Sequence, residues 1–388
     1  PQTPNPKPQT PNPKPQLECK MIWDSFFDDD TTSQGAAGYA IWKKLDGKIA
    51  PDPEPSEIIF EGYLLKTDSK SQSLKERFFV LTREKLFYKK KKQPGGNKGY
   101  LECRFMRVKT FLGEEGVDSK DELKMRFVRN LKYCDLFARN ADELNEWMEA
   151  LGTVMVRTDF HERFKVKKHL GEGSFAKVYL AAKADGKEVA VKAFSKEALH
   201  KQSKGKAAVR NEIDILLSLQ HPNILALYEV HETKNSLYLV CEYLAGGSLN
   251  DHLKRSEDYL TDEQVLTIMK GILSGLAYLD AKGFLHRDLK PENIMLRDEN
   301  PQTLGANNFK ICDFGLATKA DAENYLYKRC GTPGYVAPEI VKADSSDPNF
   351  KATPKCDVFS AGVILYLLLS KLYLMQLGIL HSMSTISR

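Results

Sequence analysis

The 388-residue chain lacks paired cysteines, a large net charge and any membrane-length apolar run free of charge. Its seven cysteines, Cys19, Cys103, Cys134, Cys241, Cys312, Cys330 and Cys356, are odd in number, scattered, and form no Cys-x-x-Cys pair. This excludes a disulfide framework and a zinc site, and it fits a reducing cytosolic setting. A formal net charge of +5 is modest for this length, which argues against a nucleic-acid partner. The N-terminus lacks the basic-then-apolar order of a secretory signal. Val363 to Leu380 is almost wholly apolar, but Lys371 sits near its middle. A charge at mid-bilayer is costly, so the run reads as a buried helix entering an irregular tail, and no transmembrane span is expected.

What is present falls into segments. The first sixteen residues are two copies of Pro-Gln-Thr-Pro-Asn-Pro-Lys followed by Pro-Gln. Having no apolar side chains to pack, they read as the disordered start of a leader spanning 1–57. Within 17–57 the acidic-aromatic patch Phe26 to Asp30 points to no function. From Ile58, short runs at Phe60 to Leu65, Phe78 to Leu81 and Lys85 to Lys89, separated by polar turns such as Gln93 to Gly96, predict a small antiparallel sheet. A closing helix is predicted where Asn140 precedes Glu143 by three and Leu144, Trp147, Met148 and Leu151 share a face. A second domain begins near Phe164 with strand-like runs and then turns helical. Thr261 and Gln264 form a capping-box pattern ahead of a stripe of Val265, Ile268, Met269, Ile272 and Leu276 that stops at Gly283. Strands followed by helices outline a two-lobed α+β domain.

The second domain carries an ordered series of motifs. Gly171, Gly173 and Val178 lie in Gly-Glu-Gly-Ser-Phe-Ala-Lys-Val, where bare backbone can approach phosphate oxygens. Alone, such a turn is weak. It is followed by Val-Ala-Val-Lys ending at Lys192, by Glu212 in Arg-Asn-Glu-Ile-Asp, by His286-Arg287-Asp288-Leu289-Lys290-Pro291-Glu292-Asn293, by Asp313-Phe314-Gly315, and by Ala337-Pro338-Glu339. From about Phe164 to Ser370 the chain therefore resembles the eukaryotic protein kinase family. Lys290, Glu292 and Gly331-Thr332-Pro333 resemble its serine/threonine branch, and Gly-Thr-Pro-Gly-Tyr-Val-Ala-Pro-Glu looks most like the calcium/calmodulin-dependent group. The resemblance implies ATP and Mg2+, with serine or threonine hydroxyls of proteins as substrates. It implies that Lys192, paired with Glu212, meets the α- and β-phosphates, that Asp288 accepts the hydroxyl proton, and that Lys290 supports the transferred group. Asn293 and Asp313 would hold the metal. Gly171, Gly173, Val178, Ala190, Glu242, Leu244 and Met295 would surround the nucleotide, with Cys241 just before the hinge. Leu216, Leu227, His286 and Phe314 would stack between the lobes, and Asp357 would tie a central helix to the catalytic loop.

Residues 58–156 resemble a pleckstrin homology domain through Gly62-Tyr63-Leu64, Arg77 to Leu81 and the Trp147 helix. Lys66, Lys75 and Arg77 bracket the loop between the first two strands, matching the pattern that this family uses for inositol phosphate headgroups. The run Lys89 to Lys92 would add attraction to anionic lipid of ~1 kcal/mol per residue. The expected fold is thus a small antiparallel β-barrel with a C-terminal helix, followed by a two-lobed kinase fold. The expected function is an ATP-dependent serine/threonine kinase recruited reversibly from the cytoplasm to phosphoinositide membranes; the alternative is an adaptor that binds without turnover.

Two departures from the family pattern carry expectations of their own. From Ser370 the motifs break, so residues 371–388 read as a divergent tail and the C-terminal lobe as incomplete, leaving Glu339, expected to be buried, without its arginine and a helix face uncovered. Between Asp313 and Ala337 the only Ser or Thr residues are Thr318 and Thr332, and Lys328 holds the usual loop-threonine position. Arg287 is then expected to pair with a carboxylate such as Asp321 or Glu323 in place of a phosphate.

Overall fold

A computed structural model describes residues 26–27, 41–45, 52–67, 73–111, 118, 121–130, 132–173, 176–255, 260–298, 305–323, 325–343 and 350–370. The proline-rich leader, most of the Phe26 to Asp30 patch, the loop 68–72 and the tail 371–388 lie outside the described residues. The chain divides into two compact units, one ending at Thr158 and the next starting at Asp159.

In the first unit, β1 (Lys43–Lys44), β2 (Ile58–Thr67), β3 (Leu74–Thr82), β4 (Lys85–Lys89), β5 (Asn97–Glu102), β6 (Arg107–Thr110), β7 (Lys124–Arg129) and β8 (Lys132–Phe137) form one antiparallel ladder in the order 1-5-4-3-2-8-7-6. Leu64, Phe79, Leu86, Leu101, Val108, Phe127 and Leu136, one from each strand of β2 to β8, meet in a single core. A sheet whose distant strands face one core has to curl upon itself, which gives the expected helix-capped barrel. The lid is α1 (Ala141–Gly152), whose Leu144, Trp147, Met148 and Leu151 enter that core. Its first turn is capped where the Asn140 side chain accepts the Glu143 N–H at 2.9 Å. A short β9 (Val156–Arg157) then pairs in parallel with β6.

The second unit opens with α2 (Phe160–Arg163), followed by β10 (Phe164–Glu172), β11 (Ala176–Lys183), β12 (Glu188–Ser195), α3 (Lys196–His200), α4 (Gly205–Ser218), β13 (Leu227–Glu232) and β14 (Ser236–Glu242). The five strands are antiparallel in the order 13-14-12-11-10. Beyond the hinge come β15 (Gly247–Ser248), α5 (Leu249–Arg255), α6 (Asp262–Ala281), β16 (Phe284–Leu285), β17 (Ile294–Leu296), β18 (Phe309–Ile311), β19 (Thr318–Lys319), α7 (Pro338–Val341) and α8 (Lys355–Ser370). Both arms of the α6 capping box form: Gln264 N–H donates to Thr261 at 3.2 Å, and Thr261 N–H to Gln264 at 2.8 Å. α6 buries Val265, Ile268, Ile272 and Leu276 and packs against α8.

Glu339 differs from its sequence expectation. It is exposed in α7, so its carboxylate stays solvated and the penalty of an unpaired buried charge does not arise. On α8, Val358, Phe359, Tyr366 and Leu369 are exposed. Among the described residues no helix is long and apolar enough to cross a membrane.

Candidate nucleotide cleft and anion-binding face

Strand pairing fixes where the key lysine points. Lys192 on β12 stands opposite Val178 of β11 and Leu239 of β14, so these three side chains share the sheet face that looks onto α4. From α4, Glu212 reaches Lys192 Nζ at 2.6 Å, and Asp313 Oδ1 lies 3.3 Å from the same nitrogen. Burial alone would pull the Lys192 ammonium down, but the two carboxylates outweigh it and hold its pKa above the ordinary lysine value. Lys192 in turn holds Asp313 below the usual carboxylate range. Because Glu212 is only 4 % exposed, removing Lys192 would leave a buried carboxylate unpaired, at a cost of about 3–5 kcal/mol.

The loop below the sheet is held in a strained shape. Arg287 and Asp313 have φ of 66° and 60°, a conformation that costs non-glycine residues about 1–3 kcal/mol and needs support. At Arg287, Asp357 supplies it from α8, accepting the backbone N–H of His286 at 2.7 Å and of Arg287 at 2.8 Å. The His286 ring meets Phe314 edge-on, 5.0 Å between centroids, and its Nε2 lies 3.0 Å from the Cys312 carbonyl. Leu216 is likewise buried, and Leu227 is half-buried.

Asp288 is the best-held carboxylate of the loop. Thr332 donates its hydroxyl to Oδ1 at 2.7 Å, Lys290 Nζ lies 3.1 Å from Oδ2, and Asn293 Nδ2 donates to Oδ2 at 3.1 Å and to the Asp288 carbonyl at 2.8 Å. Lys290 also donates to the Thr332 oxygen at 2.7 Å, so one hydroxyl joins both charged groups. Gly331, at φ 111°, lets the chain deliver Thr332 there; a Cβ at this position would lie 2.7 Å from the Arg287 carbonyl.

These groups open into one cleft of about 680 Å³. Gly171, Gly173, Val178, Ala190, Lys192, Glu212, Glu242, Leu244, Asp288, Lys290, Asn293, Met295 and Asp313 all line it. So do Leu170, Leu225, Tyr243, Leu316 and Tyr327, which the motifs do not name. Leu170 stands directly before the first glycine and was findable as an apolar residue there; Tyr327 carries no local signal. The Glu242 side chain is taken up by Lys310 Nζ at 2.6 Å and the Ala226 N–H at 2.7 Å, and its own N–H donates to the Ala226 carbonyl at 3.1 Å. Among the described residues no three His, Cys, Asp or Glu side chains converge as a metal site. The half-exposed Asp313 carboxylate and the Asn293 amide oxygen are hard donors that suit a divalent ion which completes its shell with phosphate and water.

The activation segment departs from the sequence expectation. Arg287 does not pair with Asp321 or Glu323: its guanidinium donates to the carbonyls of Leu316 at 2.9 Å and Tyr327 at 2.5 Å, and lies 5.1 Å from the Tyr325 ring centroid. The segment turns its backbone oxygens inward, where they satisfy the planar donor fork without a carboxylate. From α4, Asn211 donates to the Ala317 carbonyl at 2.8 Å, and Lys204, preceding that helix, donates to the Leu326 carbonyl at 2.7 Å.

On the first unit, β2 and β3 place Lys66 opposite Lys75 and Leu64 opposite Arg77. Opposed residues share a face, so the three cations stand together on one side of the hairpin. The Lys89 to Lys92 run behaves differently from expectation. Lys89 is 6 % exposed and bonded to Asp52 at 3.0 Å and the Gln93 carbonyl at 2.8 Å, and Lys92 meets Glu61 at 2.5 Å. Internal partners pair with half the run; Lys90, Lys91 and the Glu61-paired Lys92 are all exposed.

Comparison with known proteins supplies a frame for both units. The protein kinase domain model matches residues 164–383, and the PH domain model matches residues 58–156. Relatives include CBL-interacting protein kinase 26 of Oryza sativa subsp. japonica, 37 % identical over 218 residues, and CBL-interacting serine/threonine-protein kinase 19 of Arabidopsis thaliana, 38 % identical over 212. Calcium-dependent protein kinase 4 of Plasmodium falciparum is 39 % identical over 213 residues. These alignments cover 54–55 % of this chain and 38–41 % of the relatives, so the chain spans less than half the length of each.

Proposed function

We propose, starting from the fact that this chain belongs to the protein kinase family and carries a PH domain ahead of its kinase domain, that it transfers the γ-phosphoryl group of ATP to serine or threonine hydroxyls of proteins. The observation that carries this reading is the Asp288–Thr332–Lys290 cluster facing the Lys192–Glu212 pair across one cleft. Kinase domains use ATP and a divalent metal ion; we assign Mg2+, held by Asp313 and Asn293, whose chemistry is to neutralise charge on the phosphates. Lys192 is a fixed cation for the phosphate oxygens, Asp288 receives the proton of the incoming hydroxyl, and Lys290 balances charge beside it. Little else is required of the protein, because positioning and electrostatics dominate phosphoryl transfer. The test is incubation of the chain with γ-labelled ATP and a mixed serine/threonine peptide library. Label on serine or threonine is the expected result; nucleotide binding by calorimetry without label transfer would support a binding-only adaptor.

The clustered cations Lys66, Lys75 and Arg77 support a second element of the proposal, recruitment to phosphoinositide-bearing membranes by the PH domain. Two or three cations on one face suit the closely spaced phosphates of an inositol headgroup. Changing Lys66 and Arg77 together to alanine is expected to reduce co-sedimentation with phosphoinositide vesicles to the level seen with phosphatidylcholine alone. Retained sedimentation would turn the domain into a protein-binding module.

Activity is further expected to be independent of activation-segment phosphate, since backbone carbonyls already satisfy Arg287. Phosphatase treatment should leave the specific activity unchanged, and an essential phosphate mapped to Tyr325 or Tyr327 would reverse that conclusion.

A further inference from the structure

Trp42 has no part in the chemistry above, yet it stands against the anion-binding face. Within residues 41–45, β1 adds a short edge strand, with Lys43 opposite Tyr100 and Lys44 opposite Gly99 of β5. The fit is close: a Cβ at Gly99 would lie 2.6 Å from the Lys43 carbonyl and 2.9 Å from the Tyr88 ring. The strand can therefore seat only against glycine. Lys43 also meets Glu102 at 2.5 Å, but an exposed pair of this kind anchors weakly. The firmer hold is aromatic. The Trp42 indole packs edge-on against Tyr88 at 4.9 Å and tilted against the core residue Phe79 at 6.0 Å.

The same two rings receive Lys66. Its Nζ lies 5.1 Å from the Trp42 ring centroid and 5.5 Å from that of Tyr88. We infer that Trp42 sets the affinity of the headgroup site by holding Lys66 in an aromatic cage, from which the lysine has to withdraw before it meets a phosphate. The inference rests on the reading of Lys66, Lys75 and Arg77 as headgroup ligands. It adds to that reading an internal competitor for one of the three cations. The competition is of useful size, because a cation–π contact of ordinary strength corresponds to roughly 2- to 30-fold in an equilibrium constant.

The experiment compares the full chain with Trp42→Ala, which removes the cage wall, and Gly99→Ala, which blocks strand seating by a different route. Competitive acylation of lysines, read by mass spectrometry, is expected to modify Lys66 several-fold faster in both variants while the exposed Lys90 is unchanged. An unaltered Lys66 rate overturns the cage whatever the lipid result. Binding to phosphatidylcholine vesicles carrying phosphatidylinositol bisphosphate should tighten about 3- to 10-fold in both variants, and binding of soluble inositol hexakisphosphate should tighten with it. Equal or weaker binding shows Trp42 to be a bystander or a helper and overturns the inference. Tightening with vesicles only does so too, since it would place the effect in the bilayer and not at Lys66. If Lys66 labels faster but neither probe binds any form of the chain, the headgroup reading itself fails, and the regulatory role falls with it.

Discussion

Asp288→Asn is expected to lower kcat for phosphoryl transfer by ~10²–10⁴-fold, the usual contribution of a positioned general base, while leaving nucleotide affinity unchanged. The side chain is held by three neighbours, the Thr332 hydroxyl, Lys290 and Asn293. Asparagine matches the carboxylate in shape but cannot take a proton. Its carbonyl oxygen can keep the Lys290 and Asn293 contacts while its NH2 group donates to the Thr332 oxygen, so the side chain stays in place. Nucleotide contacts come from the sheet, the hinge and Asp313, so binding should survive. Single-turnover transfer with calorimetric ATP titration on the same sample checks both halves. A variant with undiminished kcat would remove Asp288 from the role of base.

The second large effect is structural. Asp357→Ala leaves the His286 and Arg287 N–H groups buried without their acceptor, at about 1–3 kcal/mol for each. For a unit of this size, each kcal/mol moves the melting temperature by about 2–4 °C, so a fall of ~10 °C is expected. The left-handed turn at Arg287 loses its clamp at the same time, so activity measured well below the transition should also drop. Scanning calorimetry of the full chain gives the answer; an unchanged transition would mean that both N–H groups find other acceptors.

How much of this was legible before the structure depended on whether the cause was local. Asn140 and the Thr261–Gln264 box were readable because capping acts within four residues, and both form. Lys85 to Lys89 coincides with β4, and the apolar run Phe78 to Leu81 lies within β3. The cleft residues were readable because their motifs are contiguous and ordered, even though Lys192 and Asp313 are far apart in the chain. Non-local causes left less trace. Trp42 docks because of a glycine nearly sixty residues later, so nothing around it predicts a strand. Arg287 looked short of an anion because a side chain in the sequence advertises charge, whereas the carbonyls of Leu316 and Tyr327 have no letter of their own. Glu339 was expected to be buried and is exposed. Lys89 read as a surface lysine, but its partner Asp52 approaches from before the barrel.

Cys241, which lines the cleft beside the hinge, bears on how the site can be addressed with small molecules. Burial pushes its thiol up to about 12, so at neutral pH it stays in the protonated form and little of the thiolate that attacks an electrophile is present. Cys312, which also lines the cleft, is raised still further by burial. Acrylamide and chloroacetamide inhibitors that rely on a bond to cysteine would therefore react slowly with either sulfur. The same residue is a small, apolar gate in a position that a bulkier side chain would fill, and this favours reversible inhibitors that carry a large hydrophobic group and draw their selectivity from shape.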